Sequence, residues 1–319
     1  MLLALFLLAI GFILLAKGGD LLVNGSSSIA KHFKVSELVI GLTIVSLGTS
    51  APELLVNIIA SINDSSGLAL GNVFGSNICN TLLILGTAGI VAPITVQRGT
   101  VWKEIPFAFF ITLVLALLLN DSLFNGAGND RLSRNDGAIL LILFALFMYY
   151  IFTLAKAGNE EGAGETTDMG MGKSFIFIVV GIAGLVGGGK MVVSGAMDVA
   201  STLGVSEAMI GLTIVAIGTS LPELFASVMA AYRGKSDLAI GNVIGSNIFN
   251  ILFVLGISSG IKAIPYPLYM NLDLGLVILS IFFVFVFMFL GKRHSINRIE
   301  ATLLVLIYVA YMAFLIIRK

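Results

Sequence analysis

The stretch Ile40-Gly-Leu-Thr-Ile-Val-Ser-Leu-Gly-Thr-Ser-Ala-Pro-Glu53 occurs twice. It returns 170 residues later as Ile210-Gly-Leu-Thr-Ile-Val-Ala-Ile-Gly-Thr-Ser-Leu-Pro-Glu223. A second block, Gly71-Asn-Val-Phe-Gly-Ser-Asn-Ile-Cys-Asn80, recurs at the same offset as Gly241-Asn-Val-Ile-Gly-Ser-Asn-Ile-Phe-Asn250. The offset also relates Gly25 to Gly195 and Ser36-Glu37 to Ser206-Glu207. Identity of this length at one constant spacing is an internal duplication, and the fold has to be read as two copies of one unit.

Composition says where those copies reside. Of 319 residues, 58% are hydrophobic and 11% charged, against about 25% charged in soluble proteins. A soluble enzyme, a disordered regulator and a nucleic-acid binder are poor readings on that ground. Lys+Arg and Asp+Glu balance at 18 each, which leaves no basic field for nucleic acid. The single cysteine, Cys79, rules out an internal disulfide framework and a cysteine metal site. The 36 glycines suit helices that approach one another closely in lipid.

Apolar runs cover residues 2–16, 38–62, 68–91, 105–119, 139–154, 175–193, 208–231, 238–261, 272–290 and 301–317. A span needs roughly 20 apolar residues, so the expected fold is an all-α polytopic membrane protein of ten transmembrane helices. The first run lacks a positive leader and a cleavage site and has a counterpart in the second half. It is therefore read as a retained helix and not a signal peptide. Five spans per half, an odd number, make the second half enter from the opposite face, giving two inverted five-helix repeats, 1–156 and 174–319. A Gly- and acid-rich linker, 157–173, joins them and carries Glu160, Glu161, Glu165 and Asp168. Alternating the spans puts Lys31, Lys34, Arg98, Lys103, Lys156, Lys173, Arg233, Lys235, Lys292, Arg293 and Arg298 on the linker side. Arg131, Arg134, Lys262, Arg318 and Lys319 fall on the other. The positive-inside rule makes the linker side cytoplasmic and places both termini outside a cell membrane.

The repeat carries chemistry. A carboxylate deep in an apolar run costs at least ~2.5–3.5 kcal/mol and marks a function. One such Glu would be explained by a protonated carboxyl bonded to the next helix. Glu53 and Glu223, at equivalent positions inside polar motifs, point instead to a shared site. On a helix, Thr49, Ser50 and Glu53 share a face, as do Thr219, Ser220 and Glu223. Pro52 and Pro222 lack an N–H and kink the chain, freeing the carbonyls of Gly48 and Gly218. Such irregular backbone at membrane depth is tolerated where it lines a cavity. Ser76 and Asn80, like Ser246 and Asn250, are four residues apart on one face. Asn72 and Asn242 lie further out, and Asn77 and Asn247 point elsewhere. Every donor is an oxygen, and oxygen-only sites select hard cations. Calcium takes 6–8 oxygens, and two bidentate Glu with the carbonyls near Thr49 and Thr219 would supply roughly six. Sodium needs fewer oxygens and less charge.

The paired Gly-Thr-Ser-x-Pro-Glu and Gly-Asn-x-x-Gly-Ser-Asn-Ile-x-Asn blocks resemble the alpha-repeats of the sodium/calcium exchanger family, within the cation/calcium antiporter superfamily. The resemblance runs the length of the chain, and the short linker resembles the compact prokaryotic type. It implies Glu53 and Glu223 as central calcium ligands shared with sodium, completed by the Thr49 and Thr219 carbonyls. It implies Ser50, Thr219, Ser220, Ser76 and Ser246 at flanking sodium sites, with the carbonyls of Ser46 and Ala216, and Asn80 and Asn250 lining the middle. Asn250 is a departure, because a similar archaeal exchanger carries Asp there. The site then has two carboxylates, which puts in doubt the family's ion stoichiometry and removes one proton carrier.

The reading is a sodium-driven calcium antiporter working by alternating access, with proton/calcium or other cation exchange as the alternative. The transported ions are calcium and sodium, with no cofactor and no obligate protein partner beyond the lipid bilayer. An intramembrane hydrolase would need an Asp pair, a Ser–His pair or a His-based metal site within the spans, and a channel has no need of the repeat. The first and sixth spans, with Gly18-Gly19 and Gly187-Gly188-Gly189, are the expected sliding element. Lys17 and Lys190 are expected near span ends, Glu37 and Glu207 at helix starts, His32 and His294 solvated in loops, and Trp102 at the membrane interface.

Overall fold

The computed structural model describes residues 2–63, 65–120, 130–156, 169–203, 216–290 and 294–317. Residues 210–215 of the second motif, Ser206, Glu207 and the four linker acids lie outside the described residues.

In chain order the elements are α1 (Leu2–Phe33), α2 (Glu37–Thr49), α3 (Ala51–Ile62), α4 (Gly67–Val91), β1 (Ile94–Thr95), α5 (Arg98–Leu119), β2 (Arg131–Leu132) and α6 (Arg134–Lys156). The second half contributes α7 (Met171–Thr202), α8 (Leu221–Tyr232), α9 (Ser236–Ile261), β3 (Ile264–Pro265), α10 (Leu268–Phe287), β4 (Ser295–Ile296) and α11 (Arg298–Ile317). Eight of the described helices are long and apolar enough to cross a membrane; α2 and α3 together make a broken span bent by 48°. α8 is the shorter apolar helix that ends the second copy of the motif.

Lipid offers no hydrophobic drive between helices, so association rests on backbone approach through small residues. α1 and α7 show this along their length. A Cβ on Gly11 would meet the Gly188 carbonyl at 2.9 Å, one on Gly18 the Gly181 carbonyl at 2.8 Å, and one on Gly25 the Ser174 carbonyl at 2.8 Å. Gly195 closes the far end on the Ala4 carbonyl at 2.7 Å. The glycines recur every seven residues on both helices, and the order of contacts makes the pair antiparallel. The two helices are thus welded to each other through Gly18 and Gly188, while their neighbours Gly19 and Gly189 face the half-helices of the second motif.

Both helices are 32 residues long, about twice the strictly apolar part of the first. Lys17 and Lys190 consequently lie near their middles and not at span ends. His32 is exposed in the last turn of α1 and not in a loop. His294 also departs from expectation. It sits at φ 59°, its ring edge-on to Phe289, with a buried Nε2 that has no partner among the described residues. The cause is the short ribbon β1–β4, whose register Ile94↔Ile296 pins that loop. Trp102 is half exposed and packs edge-on against Phe285 and Phe289. Ser36 caps α2, accepting from the Val39 N–H at 3.3 Å, and Glu37 pairs with Lys235 at 2.8 Å.

The ribbons are reciprocal. β1 pairs with β4, and β2 pairs with β3 in the register Leu132↔Ile264. Val96 N–H donates to the His294 carbonyl at 3.0 Å; Tyr266 N–H, 170 residues on, donates to the Asp130 carbonyl at 2.9 Å. Each half is stitched to the other by an equivalent strand.

Candidate functional site

The broken helices build the site. α3 starts at Ala51 with Pro52 in its first turn, and α8 starts at Leu221 with Pro222. The residue at each break has nearly the same backbone: Ser50 at φ −84°, ψ 6° and Ser220 at φ −90°, ψ 6°. That bridge-region conformation turns the chain and delivers Glu53 and Glu223 into the first turn of a half-helix. There the unsatisfied N–H groups and helix dipole favour a negative charge. Both carboxylates are 1% exposed.

α4 and α9 cross beside them. Ser76 donates to Glu53 Oε1 at 3.5 Å, and Ser50 donates to Glu223 Oε1 at 3.0 Å, so the second bond runs from one half to the other. Ser220 reaches Ser76 at 3.4 Å. Thr219 lies beside Glu53, and Thr49 beside Glu223. Asn72 and Asn242 each donate to the backbone carbonyl of their own half's Glu at 3.4 Å. Asn72 also donates to Asn57 Oδ1 at 2.6 Å, and Asn242 to Ser227 Oγ at 2.9 Å, at the equivalent position. Ser46 is buried and its hydroxyl donates to the Thr43 carbonyl at 3.2 Å. Ala216 begins the short helical turn Ala216–Gly218 ahead of the second break.

The asparagines form the floor. Asn80 Nδ2 donates to Asn247 Oδ1 at 3.1 Å, and Asn250 Nδ2 donates to Asn77 Oδ1 at 3.1 Å. Asn247 Nδ2 donates to Thr81 Oγ1 at 2.7 Å, and Thr49 Oγ1 to Asn242 Oδ1 at 3.2 Å. Asn77, Asn247, Asn242 and Thr81 therefore belong to the site's scaffold, which the sequence reading missed. Asn77 points about 100° away from Ser76 on the same helix, and that direction is where α9 packs. Both crossing helices then widen into a π-turn, Cys79–Ile84 and Phe249–Val254. Such turns loosen the hydrogen-bond ladder and are frequent at functional sites.

This bonding spends the amide nitrogens on one another and leaves oxygens over. Glu53 Oε2, Glu223 Oε2, Asn80 Oδ1, Asn250 Oδ1 and Ser246 Oγ are all buried with no hydrogen-bond partner among the described residues. Orphaned buried acceptors cost about 1–3 kcal/mol each, more when charged. Among the described residues no three His, Cys, Asp or Glu side chains cluster as a metal site would have them. A cation here would rest on two carboxylates and neutral oxygens. Two cavities border the site, both lined in part by Thr219. One of about 460 Å³ lies between α3 and α7 beside Pro52 and Lys190; the other, about 340 Å³, is walled by Asn72, Ser76, Asp273 and Tyr308.

The model of the family described as sodium/calcium exchanger protein matches residues 3–153 and 173–317. The chain belongs to the sodium/calcium exchanger family. This exchanger is 37% identical to the putative antiporter CaxA of Alkalimonas amylolytica over 98% of both chains. It is 33% identical to the sodium/calcium exchanger MaX1 of Methanosarcina acetivorans over 97% of both. A solved structure of the sodium-calcium exchanger NCX_Mj, soaked with zero Na+ and Ca2+, superposes with a TM-score of 0.84 at 34% identity, covering 98% of this chain and 99% of that one. The exchanger is thus a multi-pass membrane protein of a transporter family, its apolar spans all helical.

Proposed function

We propose that this exchanger is a sodium/calcium antiporter that spends the sodium gradient to export calcium across the cell membrane by alternating access. The observation that carries the reading is the group of five buried oxygens on four crossing elements, two of them carboxylate, with no partner among the described residues. Two negative charges neutralise one divalent cation, and the neutral oxygens are the hard donors that calcium and sodium take. Glu53 and Glu223 are assigned to calcium, with the Thr49 and Thr219 carbonyls. Ser50, Ser76, Ser220 and Ser246, with the carbonyls of Ser46 and Ala216, are assigned to sodium, and Asn80 and Asn250 to the wall between.

The architecture proposed is ten spans in two inverted five-helix repeats, 1–156 and 174–319, with the linker in the cytoplasm and both termini outside. The antiparallel α1–α7 pair, the reciprocal ribbons and the matched breaks at Ser50 and Ser220 support it. Inverted repeats with a site at their interface are characteristic of secondary transporters.

The test is calcium flux in vesicles holding the purified protein, with sodium, proton and potassium gradients imposed separately. Calcium uptake driven by outward sodium, and indifferent to the other two gradients, is expected. Uptake that follows the proton gradient and ignores sodium would replace this reading with proton/calcium exchange.

A further inference from the structure

The two halves differ where α1 and α7 meet the half-helices. A Cβ on Gly19 of α1 would meet the Phe225 carbonyl of α8 at 3.0 Å. The equivalent residues of the other half are Gly189 and Leu55. A Cβ on Gly189 would meet nothing nearer than Pro222 Cδ at 3.7 Å, and Gly189 and Leu55 both line the 460 Å³ cavity. The structure is closed between α1 and α8 and open between α7 and α3.

The charges at this joint are not duplicated. Arg233, which caps the end of α8, donates through Nη2 to Asp20 Oδ1 of α1. The residue 170 positions after Asp20 is Lys190, and the one 170 before Arg233 is Asn63, which caps the end of α3. The pair Lys190 and Asn63 cannot form a salt bridge. An ion pair thus exists for one of the two closed arrangements and is denied to the other by sequence.

We infer that Asp20 and Arg233 are a one-sided latch, holding α1 on α8 and biasing the protein towards the state open between α3 and α7. The inference rests on the alternating-access reading above. The glycine weld makes α1 and α7 one body, so releasing α1 from α8 is the movement that carries α7 onto α3. The latch is a weak one, because its side chains are 46% and 27% exposed and exposed pairs contribute little. A two- to fivefold change in the ratio of the two states is the size such a pair supports. A bias of that size sets resting occupancy without locking the cycle.

The experiment uses the full chain in lipid nanodiscs without sodium or calcium, spin-labelled at cysteines replacing Ile62 and Leu203, both exposed at the ends of α3 and α7. Pulsed dipolar spectroscopy then reads the ratio of long to short distances. Asp20→Asn and Arg233→Gln should each raise the short-distance fraction two- to fivefold, and the reversed pair Asp20→Arg with Arg233→Asp should restore it. Lys190→Asp with Asn63→Arg builds the missing latch and should raise the short-distance fraction further. Single variants without effect, or a reversed pair that fails to restore the ratio, would overturn the latch. A single distance under all ion conditions in protein that still exchanges calcium for sodium would also remove the latch and leave the exchange standing. Absence of that flux would remove the underlying reading.

Discussion

Replacing Glu53 by Gln keeps the shape of the side chain and removes one of two negative charges. Glu53 Oε1 accepts from Ser76 at 3.5 Å, which an amide oxygen also does; Oε2 is buried without a partner among the described residues. With a cation bound, the loss resembles stripping one partner from a buried pair, about 3–5 kcal/mol, or roughly 150- to 5,000-fold in affinity. Without a cation the sign reverses. Two carboxylates, each 1% exposed, share one small site, and Glu53→Gln relieves their repulsion and supplies a donor. Thermal unfolding in detergent separates the two effects. At a calcium concentration 100 times the wild-type Kd, binding stabilises wild type by about 2.7 kcal/mol. After a 150-fold loss the same calcium stabilises Glu53→Gln by only about 0.3 kcal/mol. The calcium-free melting temperature of the variant should equal or exceed wild type. A variant that keeps the full calcium-induced shift, or that melts lower without calcium, would refute the reasoning.

Asn250→Asp should destabilise the calcium-free protein by about 1–3 kcal/mol, because the 3.1 Å donation to Asn77 Oδ1 becomes two acceptors face to face, and should raise cation affinity through a third carboxylate; calorimetry with and without calcium reads both. Gly181→Ala should cost about 1–3 kcal/mol, since its Cβ would lie 2.7 Å from the Leu22 nitrogen. Gly187→Ala, on the same helix with nothing within 4 Å among the described residues, should be neutral or stabilise by up to ~1 kcal/mol; melting temperatures compare the two. Tyr150→Phe removes the hydroxyl that donates to buried Glu104 and should cost about 1.5–3 kcal/mol of stability while leaving calcium affinity unchanged in a titration.

The duplication made much of this molecule readable before its structure. Glu53 and Glu223, their hydroxyl neighbours and the proline breaks were visible because each is a local pattern written twice. The length of α1 was not, because Lys17, Asp20, Asn24 and Ser26–Ser28 interrupt its hydropathy. Packing accommodates that polar stretch: Ser28, 0% exposed, is bonded by Ser174 of α7 at 2.7 Å. The four amides and hydroxyls of the site floor were also hidden. Asn77 and Asn247 acquire meaning only when α4 meets α9, and no single helix shows where its partner lies. The asymmetry between Asp20 and Lys190 was in the sequence throughout, but it became chemistry only once Arg233 was seen beside one of them.

The claim at the centre of this account is that two carboxylates and a ring of neutral oxygens hold one calcium ion between the halves. Anomalous diffraction from crystals soaked in calcium, or in strontium as its heavier substitute, tests it directly. The account predicts one strong peak about 2.3–2.6 Å from carboxylate oxygens of both Glu53 and Glu223, lost on raising sodium. A peak that touches neither residue, or one that sodium leaves in place, would contradict it.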